Sequence, residues 1–296
     1  MDPRSGLNPE FPLRLCYDAA VSTLSRLRRA WWGIRQELRW GSAHVVSGRL
    51  AYMVNVIAYR ILALWPKMPG SGAVSRLVTD GGMIVYYRRD RGDIQGIREI
   101  FIDEIYRLPD GAAPSSLVDL GANIGLATLW LCSTYGIGRF AAYEPQPENF
   151  ALLERNCAVN GLRGQLNRTA VGTENTVTFF DTSTDSNMGR VGTGTLIVEV
   201  ESITSIVENL PFDPSLLKLD VEGMERDLVT LVDPGWIRRF ELVVMEMHPQ
   251  YFDIGPVIET IASQGFEYFA PLEVSRGTRR AKRERLFVRA GLGVSR

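Results

Sequence analysis

Two stretches near the amino terminus carry apolar residues at the three- and four-residue spacing of an amphipathic helix. In the first, the apolar positions are Tyr17, Val21, Leu24, Leu27, Trp31, Ile34 and Leu38. The second covers residues 50–64 and ends before Pro66 and the sequence Pro-Gly-Ser-Gly at 69–72. Because proline and glycine interrupt helices, we expect a linker there. The pattern predicts a helical extension or lid over residues 1–72 and a separate domain over residues 73–296.

Beyond that linker, strand-like and helix-like segments alternate. Residues 83–88 are rich in strand formers, and a helical pattern follows for which Asp93 is the predicted N-cap. The later predicted strands are 117–120, 139–143, 165–170, 216–219, 242–247, 267–270 and 286–289. Helical patterns separate most of them. Such alternation predicts right-handed βαβ units, and therefore an α/β fold with a mostly parallel sheet between helices.

Composition and charge narrow the class of protein. The chain has 296 residues, of which 45% are hydrophobic and 23% are charged, as is usual for a globular protein. Its 33 basic and 34 acidic residues give a net charge of −1, so we expect no nucleic-acid partner. Cys16, Cys132 and Cys157 are widely spaced, which disfavours a disulfide framework or a structural zinc site and favours a cytoplasmic location. An apparent cleavable signal is missing, because acidic residues and prolines interrupt the first fifteen positions.

The amino-terminal helices allow two interpretations. They are rich in arginine and tryptophan, so they could dock on an anionic membrane surface. The interpretation that we favour is that their apolar stripe packs on the next domain while the arginines face solvent. The most apolar stretch, residues 50–65, contains Asn55 and Arg60 and is shorter than the ~20 residues that a membrane-spanning helix needs.

The most informative segment is Val-Asp-Leu-Gly-Ala-Asn-Ile-Gly at residues 118–125, which joins a strand, a glycine turn and a helix start. Gly121 and Gly125 let the backbone approach a ligand, and a helix N-terminus supplies free N–H groups. A dinucleotide fingerprint would need glycine where Asn123 and Leu126 stand, and the chain has no P-loop sequence. A different cofactor is therefore expected at this turn.

Acidic residues follow the neighbouring strands. Glu144 ends one strand, where a carboxylate could accept hydrogen bonds from two ribose hydroxyls; alternatively it is a surface carboxylate that caps the helix from residue 147. Asp119 could likewise be only a turn-forming residue. Further polar groups follow the strands at 216–219 and 242–247, namely Asp220, Glu222, Glu246 and His248. Because ligands collect beyond the carboxyl ends of parallel strands, we expect these groups to converge on one cleft.

These motifs together resemble the FkbM family of S-adenosylmethionine-dependent methyltransferases. The resemblance covers about residues 75–290 and includes the glycine turn, Glu144-Pro145, Lys-Leu-Asp-Val-Glu-Gly at 218–223 and Glu-Met-His at 246–248. It implies a class I, Rossmann-like methyltransferase fold with a mostly parallel seven-stranded sheet. It also implies that S-adenosylmethionine is the cofactor, with contacts at Asp119, Gly121, Asn123, Gly125, Glu144, Pro145, Ala170, Val171 and Asp220. Of these, Ala170 and Val171 would lie against the adenine and Asp220 near the sulfonium.

The family resemblance further implies O-methylation of a hydroxyl on a sugar, a polyketide or another secondary metabolite. A hydroxyl is a poor nucleophile, so a general base should help, and His248 is the first candidate because its ordinary pKa is about 6.5. Asp220, Glu222 and Glu246 are alternative bases. A third possibility is that Asp220, Glu246 and His248 bind a divalent metal. A noncatalytic nucleotide-binding or membrane-docking protein, and an N-methyltransferase, are the rival functions; the acceptor and the oligomeric state are not encoded in any motif.

Overall fold

The computed structural model describes residues 31–62, 73–181, 190–191, 195–221, 223–247, 249, 251–269, 284–289 and 292. The predicted linker at 63–72 and most of the first predicted helix lie outside these residues. The division into a helical extension and a second domain therefore stays a prediction.

The secondary structure follows the predicted alternation. The strands are β1 (Val45–Ser47), β2 (Val74–Thr79), β3 (Ile84–Arg88), β4 (Ser116–Leu120), β5 (Arg139–Tyr143), β6 (Gln165–Asn167), β7 (Ala170–Gly172), β8 (Thr176–Asp181), β9 (Arg190–Val191), β10 (Leu196–Ser202), β11 (Leu216–Leu219), β12 (Leu242–Glu246), β13 (Phe266–Phe269) and β14 (Glu284–Arg289). The helices are α1 (31–44), α2 (Arg49–Leu62), α3 (Asp93–Ile97), α4 (Leu126–Tyr135), α5 (Pro147–Val159), α6 (Ile203–Glu208), α7 (Glu225–Thr230) and α8 (Gly255–Ser263). A π-helix, Arg98–Ile102, continues α3, and a 3₁₀-helix spans Pro234–Arg239.

The central sheet has the strand order β13-β14-β12-β11-β4-β5-β6. The five strands from β12 to β6 run parallel. Strand β14 is antiparallel to both β12 and β13. The chain runs outward from β4 through β5 to β6 and then returns to place β11 on the other side of β4. Open α/β sheets bind ligands beyond the carboxyl ends of the strands at such a reversal, which here lies between β4 and β11. The predicted α/β fold with a parallel sheet is confirmed.

Helices cover both faces of this sheet. Alternate residues of one strand point to opposite faces, so Leu117 joins the core under α4 and α5, whereas Val118 joins the core under α6 to α8. Strands β4 and β11 are buried along their whole length, which explains why their sequences are almost continuously apolar. The sheet therefore holds the ends of β4 and β11 in a rigid frame.

Two expectations about local structure are wrong. The predicted strand 165–170 is two strands, because the chain leaves the central sheet after Asn167 and β7 pairs with β10 in a separate four-stranded sheet. Asp93 is not the N-cap of α3; Gly92 holds that position with a left-handed φ of 82°. The carboxylate of Asp93 instead accepts hydrogen bonds from Arg88. The helical segment that begins at Asp93 ends with the π-helix, at Ile102.

The described amino-terminal helices pack on the rest of the protein. Tyr52 and Val56 of α2 are fully buried in the core that also contains residues of α4, and β1 pairs with β2. The stripe predicted on α2, at positions 50, 54 and 57, is not the face that packs: it is exposed, so the favoured interpretation is wrong for this helix. Leu50 and Val54 of α2 remain exposed, and contact with a membrane surface stays a prediction. None of the helices in the described ranges has the length and hydropathy needed to cross a membrane.

Candidate active site

The turn after β4 can be built only with glycine at its two key positions. Gly121 and Gly125 have φ values of 82° and 85°, in the left-handed region. A Cβ on Gly121 would clash with the backbone carbonyl of Asp220, and one on Gly125 would lie 2.6 Å from a methyl group of Leu153. The ends of β4 and β11 are therefore in backbone contact, and the N–H of Asp220 donates to the carbonyl of Leu120 over 3.1 Å.

Glu144 lies at the end of β5 and meets this turn. Its Oε2 accepts a hydrogen bond of 2.9 Å from the backbone N–H of Asn123, and its Oε1 accepts one of 2.9 Å from the N–H of Gln146. The side-chain amide of Asn149 also donates to Oε1, over 3.3 Å. Only 5% of Glu144 is exposed, so the alternative of a surface carboxylate is wrong. Burial raises the pKa of Glu144 to about 7, although the three donors favour its charged form.

Two buried oxygen atoms near this turn lack a hydrogen-bond partner among the described residues. They are Oδ1 of Asn123 and Oδ1 of Asp220. Asn123 also has a left-handed φ of 52°, which is uncommon outside glycine. Buried polar atoms are nearly always paired, so an unpaired acceptor in a native crevice indicates a place where a donor on a ligand can bind.

Asp119 lies below the turn. Its carboxylate is fully buried, accepts a hydrogen bond of 2.6 Å from Thr128 and forms an ion pair of 3.1 Å with the ammonium of Lys218. Lys218 in turn donates to the carbonyl of Gly121 over 2.7 Å. Burial favours the neutral amine of Lys218, but Asp119 and Asp220 outweigh this effect and raise its pKa above the ordinary value. Asp119 supports the turn through Lys218, and its predicted direct contact with a cofactor stays a prediction.

Tyr106 completes the site from outside the predicted set. Its hydroxyl donates a hydrogen bond of 3.1 Å to Oδ2 of Asp220, and its ring centroid lies 5.7 Å from the ammonium of Lys218. The residue is buried. The helical spacing of the residues before Tyr106 did not predict that its side chain contacts Asp220. Lys218, by contrast, is a charged residue within an apolar strand, and that was a signal that a buried partner exists.

The remaining catalytic candidates are only partly described. Glu246 ends β12, beside β11, is half-buried, and its charge contributes to the raised pKa of Lys218. Glu222 and His248 lie outside the described residues, so their predicted roles are not tested. Within the described part of the chain, no three His, Cys, Asp or Glu side chains form a group that could hold a metal ion. The metal hypothesis that includes His248 therefore stays open.

The residues predicted to lie against the adenine are on β7, which follows β6 along the chain but belongs to a different sheet. Ala170 and Val171 are buried residues of β7, only a few positions after Asn167. The carbonyl of Asn167 accepts a hydrogen bond of 3.1 Å from the N–H of Glu144. Pro145 is half-buried beside Glu144. Contacts of these residues with a cofactor stay predictions.

Comparison with known proteins identifies the family. A model of the FkbM methyltransferase domain matches residues 119–268, which is half of the chain. The chain belongs to the FkbM methyltransferase family. This membership supports methyltransferase activity. The matched region begins at Asp119, so Tyr106 and helices α1 to α3 of this FkbM methyltransferase lie upstream of it.

Individual relatives of this FkbM methyltransferase are distant. Methyltransferase 1 of Beauveria bassiana is 27% identical over 196 residues, which cover 57% of this chain and 79% of that protein. Methyltransferase sdnD of Sordaria araneosa is 37% identical over 76 residues, or 25% of this chain and 29% of that protein. Among solved structures, M. jannaschii TYW2 in complex with AdoMet is 11% identical, with a TM-score of 0.39 over 75% of this chain and 87% of that chain. A score this low does not by itself establish a shared fold.

Proposed function

We propose that this protein is an S-adenosylmethionine-dependent O-methyltransferase that acts on a hydroxyl of a small molecule, such as a sugar or a polyketide. The observation that carries the proposal is the hydrogen bond between the buried Glu144 carboxylate and the N–H of Asn123 in the glycine turn. This hydrogen bond joins Glu144, which is predicted to bind the ribose, to the glycine turn, which is predicted to hold the methionine part of the same cofactor. The strand order of the central sheet supports the finer assignment to the class I methyltransferase fold.

The residues of the turn fit this cofactor. Gly121 and Gly125 have no side chain at two positions where one would collide with neighbouring residues. Glu144 has an acceptor position left on Oε2 for a ribose hydroxyl, since a carboxylate offers about four lone pairs and three donors are used. The unpaired Oδ1 of Asn123 is a further acceptor on this turn. A bound S-adenosylmethionine would supply an electrophilic methyl group on its sulfonium.

Asp220 is the side chain that the geometry favours for orienting the methyl acceptor. Its side chain is partly exposed and Tyr106 uses only one lone pair of Oδ2, so this carboxylate has positions left to accept a hydrogen bond, and then the proton, from the acceptor hydroxyl. Holding a nucleophile in line contributes up to ~7–11 kcal/mol to a reaction, and proton removal contributes ~10²–10⁴ in rate. His248, Glu222 and Glu246 are further proposed bases, and a divalent metal on Asp220, Glu246 and His248 is the alternative.

The test begins with calorimetric titration of the wild-type protein with S-adenosylmethionine and S-adenosylhomocysteine. A transfer screen with labelled methyl groups on hydroxylated sugars, polyketides and matched amines follows. The proposal expects both ligands to bind and the label to reach a hydroxyl. Label on nitrogen would overturn O-methylation, and binding without any turnover would favour the noncatalytic alternative. Activity that survives a chelator would exclude the metal version.

A further inference from the structure

Arg88, at the end of β3, is aimed at the ribose side of the crevice by a buried ion pair. Its Nε and Nη2 donate to the two carboxylate oxygens of Asp93 over 2.9 and 3.0 Å. Asp93 also accepts the backbone N–H of Arg88 over 2.7 Å. The same Nη2 donates to Oδ1 of Asn149 over 2.7 Å. Because the planar guanidinium is held at two points, its orientation toward Asn149 is fixed.

Asn149 connects the oriented guanidinium of Arg88 to Glu144 through hydrogen bonds. Its side chain is almost fully buried, and its amide nitrogen donates to Oε1 of Glu144 over 3.3 Å and to Oε1 of Gln146 over 2.8 Å. A guanidinium has only donors, so it forces the carbonyl end of the Asn149 amide toward itself and the NH₂ end toward Glu144. A flipped amide would set its oxygen against the carboxylate. The contact with Arg88 therefore decides which end of Asn149 meets Glu144.

We propose that Arg88, held by Asp93, is a positioning residue for cofactor binding that acts through Asn149 on the Glu144 carboxylate. The proposal rests on the proposed contact between Glu144 and the ribose. Arg88 and Asp93 lie upstream of the matched family region, which starts at Asp119. The segment before the family domain thereby sets the geometry of the ribose site inside it.

The experiment compares the affinities of the full-length protein for S-adenosylhomocysteine and for its 2′,3′-dideoxy analogue, measured by calorimetry. The ratio of the two affinities reports the ribose contact, and a loss of general stability does not mimic it. Arg88→Lys keeps a charge beside Asp93 but removes the branch that reaches Asn149. We expect it to lower the affinity for S-adenosylhomocysteine about 10-fold, leave the analogue almost unaffected, and so reduce the ratio. Asn149→Ser is the second variant, with the same expectation.

The matched control is Arg98→Lys. Arg98 also forms a buried ion pair with an aspartate five residues later, Asp103, and the contacts of this pair within the described ranges do not include Asn149. Arg98→Lys should keep the wild-type ratio. In Glu144→Gln the ratio should already be low, and adding Arg88→Lys should lower it no further.

Two results are decisive in different ways. If the affinity ratio falls in Glu144→Gln but keeps its wild-type value in Arg88→Lys and Asn149→Ser, the positioning proposal is wrong and the ribose contact stands. If Glu144→Gln itself keeps the wild-type ratio, the proposed ribose contact fails and the positioning proposal fails with it.

Discussion

The hydroxyl of Tyr106 donates a hydrogen bond of 3.1 Å to Oδ2 of Asp220, although 114 positions separate the two residues. Tyr106 follows the π-helix upstream of the family domain, and Asp220 follows β11 within it. The contact places an upstream side chain over the carboxyl edge of the sheet. Because this bond uses one lone pair of Oδ2, the partly exposed carboxylate of Asp220 keeps positions that can accept further hydrogen bonds.

Replacing Tyr106 by phenylalanine should impair turnover more than cofactor binding. The change removes the described hydrogen bond to Oδ2 of Asp220 and leaves only the Lys218 ammonium, 3.8 Å away, among its described partners, so the carboxylate is held less firmly. We expect kcat to fall about 10- to 100-fold, the range for a hydrogen bond to a charged group, while the Kd for S-adenosylhomocysteine changes little. Steady-state kinetics with an acceptor from the transfer screen measures this. Tyr135→Phe, which removes a hydroxyl that accepts from the N–H of Leu108, is the control and should keep kcat. Equal rates for both variants would remove Asp220 from the proposed mechanism.

Cofactor affinity should depend on pH through Glu144. Its pKa is raised to about 7 by burial, and only the ionised carboxylate is a strong acceptor for ribose hydroxyls. The affinity for S-adenosylhomocysteine should therefore fall about 10-fold between about pH 8 and pH 6. Glu144→Gln should bind about 100-fold more weakly than wild type at the higher pH and lose this dependence. Glu154→Gln, at an exposed carboxylate of α5, should behave as wild type.

The stability of the ligand-free protein should respond to pH in the opposite direction. The folded state holds a proton on Glu144 up to about pH 7, whereas the ordinary pKa of the unfolded chain is 4.5. Lowering the pH from 7 to 4.5 therefore adds a stabilising contribution from this residue, and raising the pH through 7 removes it. Urea unfolding of wild type and Glu144→Gln across this range isolates the contribution. A difference between them that does not change with pH would contradict the raised pKa.

The glycine turn gives a prediction with an internal control. Gly121→Ala should destabilise the protein by more than the ~1–2 kcal/mol that a left-handed alanine costs, because the new methyl group would collide with the backbone of Asp220. Gly136→Ala, at the end of α4, has a similar φ of 67° but open space around it, so only the backbone cost applies. Urea unfolding compares the two variants. Equal losses of stability would mean that the contact between β4 and β11 is not tight.

Removing one partner of the buried ion pair between Lys218 and Asp119 should strongly lower the stability of the protein. Lys218→Met leaves the carboxylate of Asp119 buried without its cation, so we expect a loss of about 3–5 kcal/mol in the free energy of unfolding. Adding Asp119→Asn removes the stranded charge and should restore part of that loss. Chemical denaturation of the single and double variants measures both values. A double variant less stable than Lys218→Met would show that Asp119 has a different main partner.

The sheet could be predicted from sequence because its strands are buried on both faces. The bounds predicted for 139–143 and 216–219 agree with β5 and β11, since a run such as Leu216–Leu219 is apolar except for Lys218. The glycine turn was also readable, because its backbone conformation allows few other residues. Local patterns of this kind depend on neighbours along the chain.

The contacts that position the site depend on distant residues, so periodicity did not reveal them. Arg88 meets Asn149 across 61 positions, and Tyr106 meets Asp220 across 114. The break between β6 and β7 was missed because Ala170 and Val171 are as apolar as a continuing strand would be. The enclosure of Asp119 was missed for a related reason, since the spacing fixes its place at the strand end but not which side chains cover it.

The central claim is that the glycine turn and Glu144 hold the two ends of one S-adenosyl molecule. A crystal structure of the protein with S-adenosylhomocysteine tests it most directly, through the distance between Oε2 of Glu144 and the ribose oxygens. The account predicts a hydrogen bond there, with the amino-acid end of the ligand beside Asn123 and the sulfur near Asp220. A ligand bound away from this crevice, or a ribose that does not contact Glu144, would contradict it.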